Sequence, residues 1–248
     1  MTPNCFVTGG SRGIGRAIVL KLIASGCGCA FTYVGNAAGA EETVAQAHAA
    51  MPGSRVLSYR LDVRDPGEVE KTAERAIADL GDVHVVVNNA AIVRNNAMAL
   101  MADDEWGDVI ATNLSGPFYV TRSFLMHFLS NRFGRIINIS SLAAGGSSGQ
   151  ANYSAAKAGL EALTKTVAKE YGPKGITANA VVVGYVQTAM TDNHLSEPLR
   201  EGWVRYCPAK RVGTADEVAS LVQYLTTEQA GFINGEVIRV AGGLTYAP

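Results

Sequence analysis

The chain is 248 residues long, 48% hydrophobic and 17% charged, with a formal net charge of -1. This is the composition of a globular chain rather than a disordered one, and a chain of this length buries a core without disulfide or metal staples. Near-neutral charge removes the electrostatic case for nucleic acid or an anionic membrane as the main partner.

The first apolar run, Asn4 to Thr8, begins almost at once. No basic leader with a long apolar core precedes it, so no secretory signal is expected. A helix is expected over Gly13 to Ser25 and a strand over Gly28 to Val34. A second helix follows over Glu41 to Ala50, then strands over Arg55 to Leu61 and Val83 to Val87. A long helix is expected over Asp104 to Ser130, a strand over Arg135 to Ser140, a helix over Tyr153 to Tyr171, and strands over Ile176 to Val182 and Glu236 to Val240. The strands are rich in Val, Ile and Phe, several on both faces, as buried parallel strands read. Strand–helix alternation predicts one α/β domain over 1–248: a Rossmann-type, doubly wound parallel sheet of about seven strands with helices on both faces.

One segment breaks the rhythm. Thr188 to Lys210 is polar, carries Pro198 and Pro208, and holds Trp203 and Tyr206. It falls where such a sheet presents its ligand edge, which suits a substrate lid around 188–210. No stretch is apolar for long enough to span a bilayer. Cys5, Cys27, Cys29 and Cys207 have neither disulfide-framework nor zinc spacing, and read as small buried thiols. His48, His84, His127 and His194 are scattered, so no metal site is expected. A reducing, cytoplasmic setting is the simplest expectation.

The first strand runs into Thr8-Gly9-Gly10-Ser11-Arg12-Gly13-Ile14-Gly15 and a helix follows. Glycines there allow a tight turn and a close approach of backbone N–H groups to a diphosphate, and the helix N-terminus adds partial positive charge. Gly9, Ser11, Arg12, Gly13, Ile14 and Gly15 are thus candidate contacts of a dinucleotide. An NAD site places an acid at the end of the second strand, but Phe31-Thr32-Tyr33-Val34-Gly35-Asn36 has none. Arg12 suits a 2′-phosphate, so NADPH/NADP is favoured over NAD.

Tyr153 and Lys157 lie four apart at the start of a predicted helix and share one face. A free phenol loses its proton near pH 10. A neighbouring ammonium stabilises the phenolate and lowers that value, so the tyrosine becomes a usable acid–base group at a carbonyl oxygen. Ser140-Ser141 lies upstream, at the end of a predicted strand.

In this ordered set the chain resembles the short-chain dehydrogenase/reductases over nearly its whole length. The resemblance is carried by the glycine loop, Asp62-Val63, Asn88-Asn89-Ala90, Asn113, Ser140-Ser141, Tyr153-x-x-x-Lys157 and Gly184-Tyr185-Val186-x-Thr188. Asp104-Glu105-Trp106, Thr112-Asn113-Leu114 and Gln150-Ala151-Asn152-Tyr153 are most similar to the 3-oxoacyl-acyl-carrier-protein reductases of that family. The resemblance implies roles. Tyr153 would be the general acid, and Lys157 would tune it and bond the nicotinamide ribose. A serine would hold the substrate carbonyl. Asn113 would bend its helix and help carry a water-linked proton path. Asp62 and Val63 would contact adenine, Asn89 would lie beside a ribose with Ala90 among the cofactor contacts, and Val186 and Thr188 would bind the carboxamide. It also implies a homotetramer built through the Tyr153 helix, which is rich in small residues, and the long helix before it.

In most relatives a serine thirteen positions before the tyrosine acts, which selects Ser140. The motif Ile137-Asn138-Ile139-Ser140-Ser141 instead selects the second serine, with a one-residue deletion in the following loop. Loops absorb deletions and strands do not, so Ser141 is preferred and Ser140 is the alternative. Ala91, Val183 and Ala241 stand where relatives carry glycine, proline and a polar residue, and bear on substrate identity more than on chemistry. Arg132, Arg135, Lys169 and Lys174 are placed to gather near the cleft mouth and meet an acidic carrier protein. The expected activity is NADPH-dependent reduction of a 3-oxoacyl thioester linked to acyl carrier protein or CoA. The alternatives are a dehydrogenase/reductase of another small alcohol or ketone, and a silent dinucleotide-binding protein.

Overall fold

The apolar runs take up extended backbone where β-branched residues crowd, and the intervening Ala- and Glu-rich stretches coil. A computed structural model describes residues 2–187 and 197–247, with the backbone alone at 197–199. The order is β1 (Cys5–Val7), α1 (Gly13–Ala24), β2 (Cys29–Tyr33), α2 (Ala37–Ala50), β3 (Val56–Arg60), α3 (Pro66–Leu80), β4 (Val85–Asn88), α4 (Asp103–Ile110) and α5 (Gly116–Asn131). Then follow β5 (Gly134–Ser141), α6 (Ala151–Tyr171), β6 (Ile176–Val183), α7 (Glu197–Tyr206), α8 (Ala215–Leu225) and β7 (Val237–Val240). The strands form one seven-stranded sheet in the order β3-β2-β1-β4-β5-β6-β7. Every neighbouring pair is parallel. The chain is therefore a single α/β domain of the expected class.

Side-chain alternation divides the core between the two faces. Cys5, Val7, Cys29, Phe31, Val85 and Val87 point to one face, where α1 and α8 cover them. Phe6, Ala30 and Val86 point to the other, against α3 and α5. There Phe6 and Phe124 meet with ring centroids 5.0 Å apart, and Phe124 stacks on Phe128 at 6.0 Å. A buried aromatic of this kind contributes roughly 1.5–3 kcal/mol. All four cysteines are free and buried.

Strand order reverses between β1 and β4, and at that point an open α/β sheet leaves a crevice beyond its carboxyl ends. The expected helix over Asp104 to Ser130 forms as an unbroken helical run from Asp103 to Asn131, but it is not regular throughout. A π turn at Ala111–Ser115 separates α4 from α5. Asn113 sits in that turn, fully buried, and its side chain bonds the backbone of a neighbouring loop rather than the helix. Turns of this kind cluster at functional sites.

Candidate active site

The glycine loop leaves β1 at Val7 and turns back into α1. Gly9 (φ +72°) and Gly13 (φ +56°) adopt left-handed backbone, where a side chain is strained. A Cβ on Gly15 would lie 2.0 Å from the Gly9 carbonyl oxygen, so no other residue fits there. Arg12, at the N-cap of α1, gives no capping hydrogen bond. The first-turn N–H groups are thus left for an external anion. Tight glycine backbone, close β4 and an uncapped helix N-terminus fit a dinucleotide diphosphate.

Three side chains brace this loop. The Thr8 hydroxyl accepts from the backbone N–H of Asn89 and of Ala90, both at 3.0 Å. Asn89 donates to the carbonyls of Thr8 (2.9 Å) and Gly9 (3.0 Å), so its amide locks the loop to the end of β4. Arg16, which the sequence reading passed over, donates to the Ser11 carbonyl at 2.8 Å and to Glu42 at 2.8 Å. Its position one turn into α1 was the available signal, since a long cation there can reach back over the loop. Arg12 itself is exposed beside the loop. No acid stands at the end of β2, where Asn36 instead caps α2 by accepting from the Gly39 N–H.

At the far side of the cleft, β5 ends at Ser141 and α6 starts two residues before Tyr153. The Ser141 hydroxyl accepts from the Ala143 N–H at 3.2 Å and lies near enough to the Tyr153 phenol to favour its ionised form. Ser140 points to the other face of the strand and donates to the Glu161 carboxylate at 2.7 Å. Lys157, 3% exposed, donates to the Ile139 carbonyl at 2.7 Å. Its Nζ lies 5.5 Å from the centre of the Tyr153 ring. Burial pushes the Tyr153 phenol up to about 12, and the nearby Ser141 hydroxyl works in the opposite direction. Burial holds the Lys157 ammonium down at about 8. The phenol is therefore raised rather than lowered as expected: desolvation dominates, and Lys157 is not among the causes of the shift. A phenol in that state is a proton donor at neutral pH.

Asn113 accepts from the Ile92 N–H at 2.9 Å and donates to the Ile92 carbonyl at 2.8 Å, which fixes the loop after β4 against the π turn. Asn152 does the same for α6, donating to the carbonyls of Arg94 and Glu105, each at 3.0 Å. Asp62 and Val63 follow β3, and Val63 packs against Gly116 so closely that a Cβ there would come within 2.7 Å. Val186 is buried beside β6 and forms a bridge with Gly213. Thr188 and His194 lie outside the described residues, as does the first part of the expected lid. From 197 the chain forms α7, whose Trp203 ring lies 5.7 Å from Tyr185. Ala241 packs on Gly184, where a Cβ would sit 2.7 Å from the Ala241 Cα; this accounts for the glycine, and nothing in the structure explains the alanine.

The basic cluster expected near the cleft mouth does not assemble there. Arg135 stands at the start of β5, the opposite end of the strand from Ser141, and is 5% exposed. It donates to the carbonyls of Gly134 and Gly175 and lies 4.1 Å over the Phe133 ring. Lys169 is sixteen residues along α6 from Tyr153, about 24 Å of helix. The histidines are also less scattered than expected, since His84 and His127 both approach Asp82 at that same far end, at 3.5 and 2.6 Å. Among the described residues no group of three metal-ligating side chains assembles. None of the described helices is long and apolar enough to cross a membrane.

Comparison with known proteins agrees with this geometry. A family model described as enoyl-(acyl carrier protein) reductase matches residues 9–245. The chain is 41% identical to the 3-oxoacyl-[acyl-carrier-protein] reductase FabG of Escherichia coli (strain K12), over 96% of this chain and 95% of that one. It is 40% identical to the protein of the same name from Staphylococcus aureus (strain N315), over 98% of each. Among solved structures it is similar to levodione reductase, with a TM-score of 0.94 at 30% identity over 98% of this chain and 97% of that one. A double mutant of a Serratia marcescens short-chain dehydrogenase/reductase gives a TM-score of 0.92 at 33% identity over 98% of each chain. With the tyrosine–lysine–serine cluster beside a dinucleotide loop and matches across nearly its whole length, the chain belongs to the short-chain dehydrogenase/reductase family, oxidoreductases that work with a nicotinamide dinucleotide on a carbonyl or hydroxyl group.

Proposed function

We propose that the protein is an NADPH-dependent reductase of 3-oxoacyl thioesters carried on acyl carrier protein or CoA. The observation that carries this reading is the buried Lys157 ammonium, held by the Ile139 carbonyl with its Nζ 5.5 Å from the centre of the Tyr153 ring one helical turn back, beside the Ser141 end of β5. The names of the 40–41% identical relatives supply the substrate class.

When bound, the reduced nicotinamide supplies the hydride to the carbonyl carbon. The protein does the rest. Ser141 and Tyr153 hold the carbonyl oxygen between two hydroxyls, and Tyr153 gives it a proton as negative charge develops there. Lys157 offsets the charge left on the phenol and holds a ribose of the cofactor. Asn113 keeps the π turn and the loop at Ile92 in register beneath this pair. Gly9, Ser11, Gly13, Ile14 and Gly15 hold the diphosphate, Asp62 and Val63 the adenine, Asn89 and Ala90 a ribose, and Val186 with Thr188 the carboxamide. Arg12 is assigned to a 2′-phosphate, because it is exposed at the loop and no acid competes for the ribose. Ser140 is set aside as the reacting serine, since Glu161 takes its hydroxyl. The segment 188–210 is assigned as a substrate cover. A homotetramer is expected from the small exposed side chains Ala155, Ala158 and Ala162 along α6 beside exposed Phe118 and Met126 on α5. Four free, buried thiols suit a reducing compartment, the cytoplasm.

The test is turnover of acetoacetyl-CoA with NADPH and with NADH, followed by absorbance of the reduced cofactor. NADPH oxidation with acetoacetyl-CoA supports the reading. Crotonyl-CoA serves as the enoyl arm, because the family description names enoyl reduction. Levodione serves as the arm for the second reading, reduction of a small ketone, which the TM-score of 0.94 favours. Turnover confined to either arm would overturn the thioester reading.

A further inference from the structure

The proposed adenine end of the cleft carries a second charged residue beside Asp62. Arg64 stands two residues beyond Asp62. Its backbone N–H donates to Asp62 Oδ1 at 3.0 Å, its Nε reaches both oxygens at 3.0 Å, and its Nη2 reaches Oδ2 at 2.6 Å. The remaining guanidinium nitrogen, Nη1, donates to Asp108 on α4 at 2.9 Å. A planar fork of this kind fixes a carboxylate in plane and distance in a way that a point charge does not. The pair also keeps Asp62 ionised, since the Arg64 hydrogen bonds hold its carboxyl below the usual range. An ionised carboxylate accepts at about four lone-pair positions and donates nothing. Arg64 occupies most of them.

On the reading that a dinucleotide binds here with its adenine at Asp62, we infer that Arg64 is a positioning residue that sets the purine specificity of the cofactor site. It holds Asp62 as a fixed, acceptor-only group: three Arg64 N–H groups, with Nε shared between both oxygens, take up part of its capacity, and what remains would pair with the 6-amino group of adenine and disfavour a 6-oxo purine. Asp108 anchors the fork to α4. The Val63–Gly116 contact fixes the same loop to α5 on its other side. An ion pair of two half-exposed side chains adds little to stability by itself. Its effect is therefore on orientation, and is read in selectivity rather than in folding.

The experiment compares binding of NADPH and of its hypoxanthine analogue by the fluorescence of their shared dihydronicotinamide. Wild-type protein, Arg64→Gln, Arg64→Lys and Asp108→Asn are titrated, with a thermal melt for each. The inference predicts that wild type prefers NADPH and that Arg64→Gln lowers this preference about tenfold at an unchanged melting temperature. Arg64→Lys keeps the charge but not the fork and recovers only part of it, and Asp108→Asn loses less than Arg64→Gln. An unchanged preference in Arg64→Gln, with wild type binding NADPH normally, overturns this inference and leaves the proposed function standing. Tighter NADPH binding by Arg64→Gln makes Arg64 a competitor of adenine and also overturns it. Failure of wild type to bind either nucleotide overturns the proposed function and this inference together.

Discussion

The two ends of the sheet carry similar polar residues and put them to opposite uses. At the amino ends of the strands, Arg135 spends its guanidinium on two carbonyls and the Phe133 ring, and Asp82 accepts from His127 and Asn131. Those groups are bonded inward. At the carboxyl ends, Thr8, Asn89, Asn113 and Asn152 also bond inward, but they hold backbone in place around groups that keep capacity for a ligand. These are the first turn of α1, the Arg12 guanidinium, and the hydroxyls of Ser141 and Tyr153. Residue type alone does not separate the two sets; position along a parallel strand does.

The comparison breaks first at Tyr153. Replacing it with Phe removes the proton donor and is expected to lower kcat/KM for acetoacetyl-CoA about 10²–10⁴-fold, with the melting temperature unchanged. A paired set sharpens it within one strand. Ser141→Ala should lower kcat/KM about 10²-fold, while Ser140→Ala, on the opposite face, should leave it near wild type. At the other end of β5 the effect should change in kind. Arg135→Ala removes the side-chain donor to the Gly134 and Gly175 carbonyls and leaves a void beside Phe133, and should cost about 2–3 kcal/mol in denaturant unfolding while kcat/KM of the folded fraction holds.

The smallest expected effect is on pH dependence. Burial holds Lys157 at about 8, so reduction should be flat below that pH and fall above it as the ammonium is lost. Stability runs the other way. The unfolded lysine keeps its proton to higher pH, so between about 8 and the ordinary lysine range the unfolded state binds more protons and Lys157's contribution to stability grows with pH. Rate and unfolding measured together across that window should diverge, and parallel curves would remove Lys157 from the account.

Much of this site was legible because its signals are local. The glycine loop sits between a strand and a helix, and Tyr153 and Lys157 share one helical face. What escaped depends on contacts distant in sequence. The 104–130 stretch reads as one amphipathic helix, and nothing in its spacing marks the π turn that buries Asn113 against Ile92. Arg135 reads as a surface cation beside Arg132, because its burial comes from the packing of β5 against the Gly175 turn. Arg64 carries no signal in the sequence beside Asp62, and only the return of α4 brings Asp108 to the guanidinium. The two serines differ by strand face alone, and the structure turns Ser140 toward Glu161 and Ser141 toward Tyr153.

The most direct test follows the hydride and the proton together. Protein is given acetoacetyl-CoA and NADPH deuterated at C4 of the nicotinamide, and the product is read by mass spectrometry for wild type and Tyr153→Phe. The account predicts a 3-hydroxyacyl product carrying deuterium at C3 from the wild type, and almost none of that product from the variant. Unlabelled product, or labelled product formed equally fast by both proteins, would contradict it.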